Sequence, residues 1–193
     1  MFSTLLALDE HSGFPLYLAF IENETASDYE KAIRSIEERG YTIFGIIIDG
    51  KKSLFTLFSD YQIQICQFHM KQIIRRYLTQ NPRLKAAREL KDLLDTLTFS
   101  SERDFKTNYA QWKEKWKDTH AKRSLLKCGK KSYTHKRLRS AMHSLDFYMP
   151  YLFTFQQESC EGMPNTNNKI EGTFTNLKKR RVSGYSRLYD EES

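Results

Sequence analysis

Apolar positions along this chain follow two periods, and the switch between them sets the predicted order of elements. Residues 4–8 and 16–21 are short apolar segments on either side of Asp9-Glu10-His11-Ser12-Gly13-Phe14-Pro15, a run of turn formers, and they predict a β-hairpin. Ser27-x-x-Glu30 reads as a capping box opening a helix that places Tyr29, Ala32, Ile33 and Ile36 on one face, with Gly40 as its stop. The run Ile43 to Ile48 then ends abruptly on Asp49-Gly50. Its three consecutive isoleucines, Ile46 to Ile48, predict a strand buried on both faces in the middle of an α/β sheet. A short helix with Leu54, Phe55 and Phe58 inward and a strand at Ile63-Gln64-Ile65 follow.

From Phe68 onward the period is helical. Met70, Ile73, Ile74 and Tyr77 fit one helix, and Leu84, Ala87, Leu90, Leu94 and Leu97 fit a second that begins near Pro82. Ser101-x-x-Asp104 opens a third, in which Phe105, Tyr109, Trp112 and Trp116 recur at helical spacing. That spacing favours a core role for these aromatics over a base-stacking platform. Residues 120–134 read as an exposed basic loop, His135 to Met149 as a helix, and Tyr151 to Phe155 as a short apolar segment. Residues 156–168 read as a loop, and Lys169 to Arg181 as a final helix with Ile170, Phe174 and Leu177 on one side.

Composition narrows the class. With 39% hydrophobic and 28% charged residues the chain resembles an ordinary globular protein, and no apolar run is long enough to span a membrane. The N-terminus lacks a basic leader before Asp9-Glu10, which predicts an intracellular protein. Three widely spaced cysteines, Cys66, Cys128 and Cys160, argue against a disulfide framework. The net charge of +7 is unevenly spread. Lys113 to Arg139 holds eleven Lys or Arg against Glu114 and Asp118, and Lys178-Lys179-Arg180-Arg181 forms a second block. Such blocks suit a polyanionic partner.

Three groups of residues could carry chemistry. Asp49 falls at the carboxyl end of its predicted strand, the edge where open α/β sheets place ligands, so Asp49-Gly50 suits either a plain turn or a carboxylate presented to a metal. Glu171 lies in the first turn of the last helix, where a carboxylate also serves the helix dipole. Cys66 and His69 stand one helical turn apart and offer two zinc ligands of the four a structural site needs. The alternative is a packed cysteine and a hydrogen-bonded histidine bracing a strand-to-helix turn.

Taken in order, Ile47-Ile48-Asp49-Gly50, Gln64-Ile65-Cys66-Gln67-Phe68-His69 with Ile74-Arg75-Arg76-Tyr77-Leu78-Thr79, and Pro164-Asn165-Thr166-x-Asn168-x-x-Glu171-Gly172 with Phe174 and Leu177-Lys178 resemble bacterial insertion-sequence transposases. These are DDE transposases related to the mutator-like superfamily. The resemblance implies an α/β fold, a ribonuclease H-like mixed sheet with a largely helical insertion before the last catalytic helix. Residues 1–80 and 151–193 would form the core and residues 81–150 the insertion. Three carboxylates in such enzymes hold two Mg²⁺ or Mn²⁺ ions for phosphodiester hydrolysis and strand transfer; Asp49 matches the second and Glu171 the third. The first would lie on a strand upstream of Met1, so the resemblance implies an incomplete, inactive fragment; Asp9, in the hairpin turn, is no substitute. It further implies a cytoplasmic, nucleoid-associated protein that binds DNA and assembles with itself or with intact transposase. Arg75, Arg76, Lys130, Lys131, Lys136, Arg137, Lys178 and Lys179 would meet backbone phosphates. Two other readings stay open. One is a non-catalytic nucleic-acid-binding module or regulator, and the other a zinc-dependent structural protein built on Cys66 and His69.

Overall fold

A computed structural model of the chain describes residues 3–125, 128–173 and 175. Its contacts divide into two compact units, one drawn from Met1–Ile43 with Gly162–Ser193 and the other from Phe44–Glu161. The content is mixed α/β.

The first unit opens on the predicted hairpin, β1 (Ser3–Leu8) paired antiparallel with β2 (Pro15–Ile21). Asp9 organises the turn. Its carboxylate accepts the amide N–H groups of His11 at 3.2 Å and Ser12 at 3.0 Å as well as the Ser12 hydroxyl, and its carbonyl accepts from Gly13 at 2.7 Å. These bonds hold the Asp9 carboxyl below the ordinary carboxylate range, the Ser12 hydroxyl contributing most. α1 (Ala26–Glu38) packs on the hairpin, burying Ala32 and Ile36. It starts earlier than Ser27-x-x-Glu30 predicts, because Thr25 is the cap. The Thr25 side chain accepts from the Asp28 amide, and the Asp28 carboxylate accepts from the Thr25 amide at 3.1 Å. Gly40, at φ +85, ends the helix as expected. Residues 168–173 and 175 are helical.

The second unit begins with β3 (Gly45–Ile48), α2 (Lys52–Leu57) and β4 (Gln62–Ile65), a parallel pair with a short crossover helix. The expectation that the isoleucine run is buried on both faces is corrected. Ile48 is buried, but Ile46 and Ile47 are only half-buried, because among the described residues β3 pairs with β4 alone. β4 is the better covered strand, with Ile63, Gln64 and Ile65 all buried.

α3 (Gln67–Leu78), α4 (Lys85–Asp95) and α5 (Glu102–Lys115) follow, with Ser101 capping α5 as predicted. After α6 (Lys117–Ala121) comes a second correction. The predicted loop over 120–134 contains the end of α6 and an antiparallel hairpin, β5 (Arg123–Leu125) and β6 (Lys131–Tyr133). Its strands are short and polar, so they carry no alternating apolar signal. α7 (Lys136–Tyr148) packs on α3. The core of this unit is built from Ile74, Leu90, Leu94, Phe105, Leu145 and Phe153, each almost fully buried. Tyr109 and Trp112 belong to it too, as the core reading of the aromatics expects, whereas Trp116 is only half-buried and donates its indole N–H to the Glu89 carboxylate at 2.8 Å. Two 3-10 turns, Met149–Tyr151 and Thr154–Gln156, run through the predicted apolar segment at 151–155, and a third, Glu158–Cys160, lies in the predicted loop at 156–168. Among the described residues no helix is long and apolar enough to cross a membrane.

Candidate functional site

The Asp49-Gly50 turn is built by tertiary contacts as much as by its own sequence. β3 delivers Asp49, exposed, at its carboxyl end, and the Lys51 amide reaches back to Asp49 Oδ1 at 3.4 Å. Gly50 adopts φ +99, and a Cβ placed there would lie 2.9 Å from Ile73 Cδ1 and 3.1 Å from Ile65 Cδ1. Its carbonyl accepts a 2.6 Å hydrogen bond from the Tyr148 hydroxyl, which comes from the last turn of α7. The Tyr148 phenol is pushed above its ordinary value, first by burial and then by the nearby Tyr77 and Asp49, so it remains a donor at neutral pH.

Behind the turn lies a buried polar network. Gln64 Nε2 donates to the carbonyls of Ile65 at 2.6 Å and Leu152 at 3.0 Å, and Gln67 Nε2 donates to the same Leu152 carbonyl at 2.9 Å. The Phe155 amide donates to Gln64 Oε1 at 3.1 Å, and the Thr154 hydroxyl to the Ile63 carbonyl at 2.6 Å. Buried amide groups are stable only when paired in this way. The network fastens β4 and the start of α3 to the turns after α7, and so fixes the frame that carries Asp49.

Cys66 sits inside that frame at the N-cap position of α3, wholly buried. Its amide donates to the Ile48 carbonyl at 2.8 Å, and its carbonyl accepts from Met70 at 2.9 Å. These backbone bonds tie the end of β3 to the first turn of α3. His69 is half-buried, with its ring edge-on to Phe68 at 5.8 Å. Among the described residues no three His, Cys, Asp or Glu side chains group as a metal site.

Glu171 belongs to the first unit, on the helical stretch that begins at residue 168, and it is half-buried. Its carbonyl accepts from the Thr175 hydroxyl at 2.9 Å. Two residues earlier, Lys169 reaches the hairpin turn. It donates to the carbonyls of Glu10 and, at 3.2 Å, His11, and pairs with the Glu10 carboxylate at 3.8 Å. Burial pushes the Glu10 carboxyl up, and Lys169 opposes that rise. Asp49 and Glu171 thus stand in different units.

The expected phosphate-binding cations separate into two kinds. Arg75 is paired with Asp95 at 2.6 Å. Arg76 is exposed, and its carbonyl accepts from Arg137 at 3.0 Å, which places Arg137 beside the end of α3. Lys130, Lys131 and Lys136 are exposed. Lys178 and Lys179 lie outside the described residues.

Tyr148, Gln64 and Gln67 were not singled out by sequence reasoning. Two glutamines flanking Ile65-Cys66 in an otherwise apolar stretch, and a tyrosine closing an apolar helix face, were the available signals, since buried amides and phenols require partners. Compared with known proteins, the sequence matches no family model and no curated protein, and the fold matches no solved structure.

Proposed function

We propose that this chain is part of the catalytic core of a DDE-type transposase acting on DNA phosphodiesters, with β3, α2 and β4 as a portion of a ribonuclease H-like fold. The observation that carries the reading is Asp49. It is exposed at the carboxyl end of a parallel strand, on a turn held by Tyr148 and by the close packing of Gly50 against Ile73 and Ile65. Carboxylate oxygens at a strand end suit a hard, oxygen-seeking ion such as Mg²⁺ or Mn²⁺. In this reading the Asp49 carboxylate is assigned to the metal. When bound, the ions would activate water or a DNA 3′-hydroxyl and neutralise charge on the phosphate. The chain's own part is to hold the backbone of the Asp49 turn in place before an ion arrives, to which the Tyr148–Gly50 bond contributes.

The test is Mn²⁺ binding to the full chain followed by electron paramagnetic resonance, with supercoiled plasmid as substrate. The expected result is binding that Asp49→Asn removes while the far-UV circular dichroism is unchanged. Equal Mn²⁺ affinity in the wild type and in Asp49→Asn would overturn the reading. A second reading, a non-catalytic DNA-binding module derived from a transposase, is favoured by the stretch from Thr119 to Leu145, which contains no acidic residue. Duplex binding that persists in EDTA with no plasmid nicking in Mg²⁺ or Mn²⁺ would select it.

A further inference from the structure

Among the described residues β2 pairs with β1 alone, which leaves its other edge open. In an antiparallel pair, alternate residues turn their N–H and C=O groups toward the partner strand and the residues between them turn theirs away. Two bonds fix that phase here. The Asp9 amide, just past the end of β1, donates to the Phe14 carbonyl at 2.9 Å, so Ser3, Leu5 and Ala7 face inward together with their partners Ile21, Ala19 and Tyr17. The Leu16 carbonyl accepts instead from the guanidinium of Arg39, at the end of α1. Leu16, Leu18 and Phe20 therefore direct their backbone groups to the open edge.

An open edge is ordinarily guarded by a charge, a proline or a covering element, because it is a ready template for another strand. Residues 16–21 contain neither a charged side chain nor a proline. The two outward residues beyond Leu16 are also apolar and uncovered, Leu18 being 47% and Phe20 69% exposed. Charge stands only at the two ends of the strand. Glu22 follows it directly and is exposed, and Arg39, also exposed, lies against Leu16. Among the described residues neither of them makes an ion pair.

We propose that the open edge of β2 is an interaction surface for a second copy of this chain, the two β2 strands pairing antiparallel about a two-fold axis at Ala19. The two hairpins then form one continuous sheet. Leu18 exchanges backbone bonds with Phe20 of the second copy, and the same two residues meet as a cross-strand apolar pair on the exposed face. The register follows from the ends of the strand. Centring the axis on Leu18 would need the Leu16 carbonyl, which Arg39 already occupies. Centring it on Ala19 sets Glu22 opposite Leu16 of the second copy, and so beside that copy's Arg39, so that each unpaired charge finds its counter-charge across the interface. A contact that matches itself in this way is what a two-fold dimer requires. The inference uses only the first unit and stands independently of the metal chemistry proposed above.

Sedimentation equilibrium of the full chain over about 1–100 µM tests the pairing, since self-association depends on concentration. The wild type is expected to pass from monomer to dimer and to stop there, because a two-fold contact closes on itself. Phe20→Pro deletes an outward N–H that takes no part in the pairing with β1, a change an edge strand tolerates, and should raise the dimer dissociation constant about tenfold or more. Phe99→Ser, at a phenylalanine 90% exposed outside the hairpin, is the control and should leave the constant unchanged. Glu22→Arg and Arg39→Glu should each weaken the dimer, and the two changes together should restore it. That charge reversal decides the matter where circular dichroism shows that Phe20→Pro disturbs the fold. A chain that stays monomeric throughout would overturn the proposal, as would growth past the dimer, equal weakening in Phe99→Ser, or a double reversal as weak as either single one. A monomer that instead binds an unrelated extended peptide along β2 would give the edge to a different partner and overturn it too.

Discussion

Gly50 occupies a place that asks for glycine twice. Its φ of +99 lies in the region side chains disfavour, and a Cβ would press on Ile73 and on Ile65, which is fully buried and has little room to yield. Gly50→Ala is therefore expected to destabilise the second unit by about 1–3 kcal/mol, the usual size of a strained backbone position. Tyr148→Phe removes the donor to the Gly50 carbonyl and leaves that acceptor short of a partner, at a cost of about 1–3 kcal/mol. Urea unfolding of the two variants checks both figures. If both unfold with the wild-type midpoint, the turn is not held by the contacts described. On the proposed function they should also weaken Mn²⁺ binding, because each loosens the backbone that aims Asp49.

Among the elements, α1 carries the clearest pH signature. The Thr25 hydroxyl and amide hold the Asp28 carboxyl below its ordinary value, so the ionised form is the one the fold prefers. A depressed carboxylate stabilises at pH above its unfolded value, and that contribution disappears as pH falls through the folded value. Thr25→Ala should cost about 1 kcal/mol at neutral pH. Its deficit relative to wild type should shrink as the solution is made strongly acidic; a deficit constant over that range would show that the pair is not coupled. The helix itself was readable from Ala32, Ile36 and Gly40, but its start was not. Thr25-x-x-Asp28 and Ser27-x-x-Glu30 both match the box, and only the geometry of the chain entering from β2 decides between them. The same limit explains the β5–β6 hairpin. Periodicity finds elements that bury a face, such as α4 with Leu90 and Leu94, and it passes over a three-residue polar strand that buries almost nothing. The position of Asp49 at a strand end was legible. The Tyr148 bond that fixes its turn, made across 98 residues, was not.

For the whole molecule, the division into units departs from a simple reading of the chain from end to end. The first unit draws on both ends of the sequence, joined where Lys169 reaches the carbonyls of the hairpin turn. The second is a continuous stretch, Phe44–Glu161. Its apolar core of Leu90, Leu94, Phe105, Leu145 and Phe153, and its buried polar groups at Gln64, Gln67 and Thr154, find their named partners within that stretch. A continuous segment of domain size with its own core and satisfied buried amides has what autonomous folding requires. Residues 44–161 expressed alone should give helical circular dichroism and one cooperative unfolding transition. The slowest-exchanging amides should lie in α3 and α7, the helix pair packed on one another. A non-cooperative melt, or exchange without protection in those helices, would mean that the stretch depends on the rest of the chain. Phe105→Ala in the same segment should then be decisive in the other direction, since emptying that site costs about 3–5 kcal/mol and would consume much of the stability a domain of this size possesses.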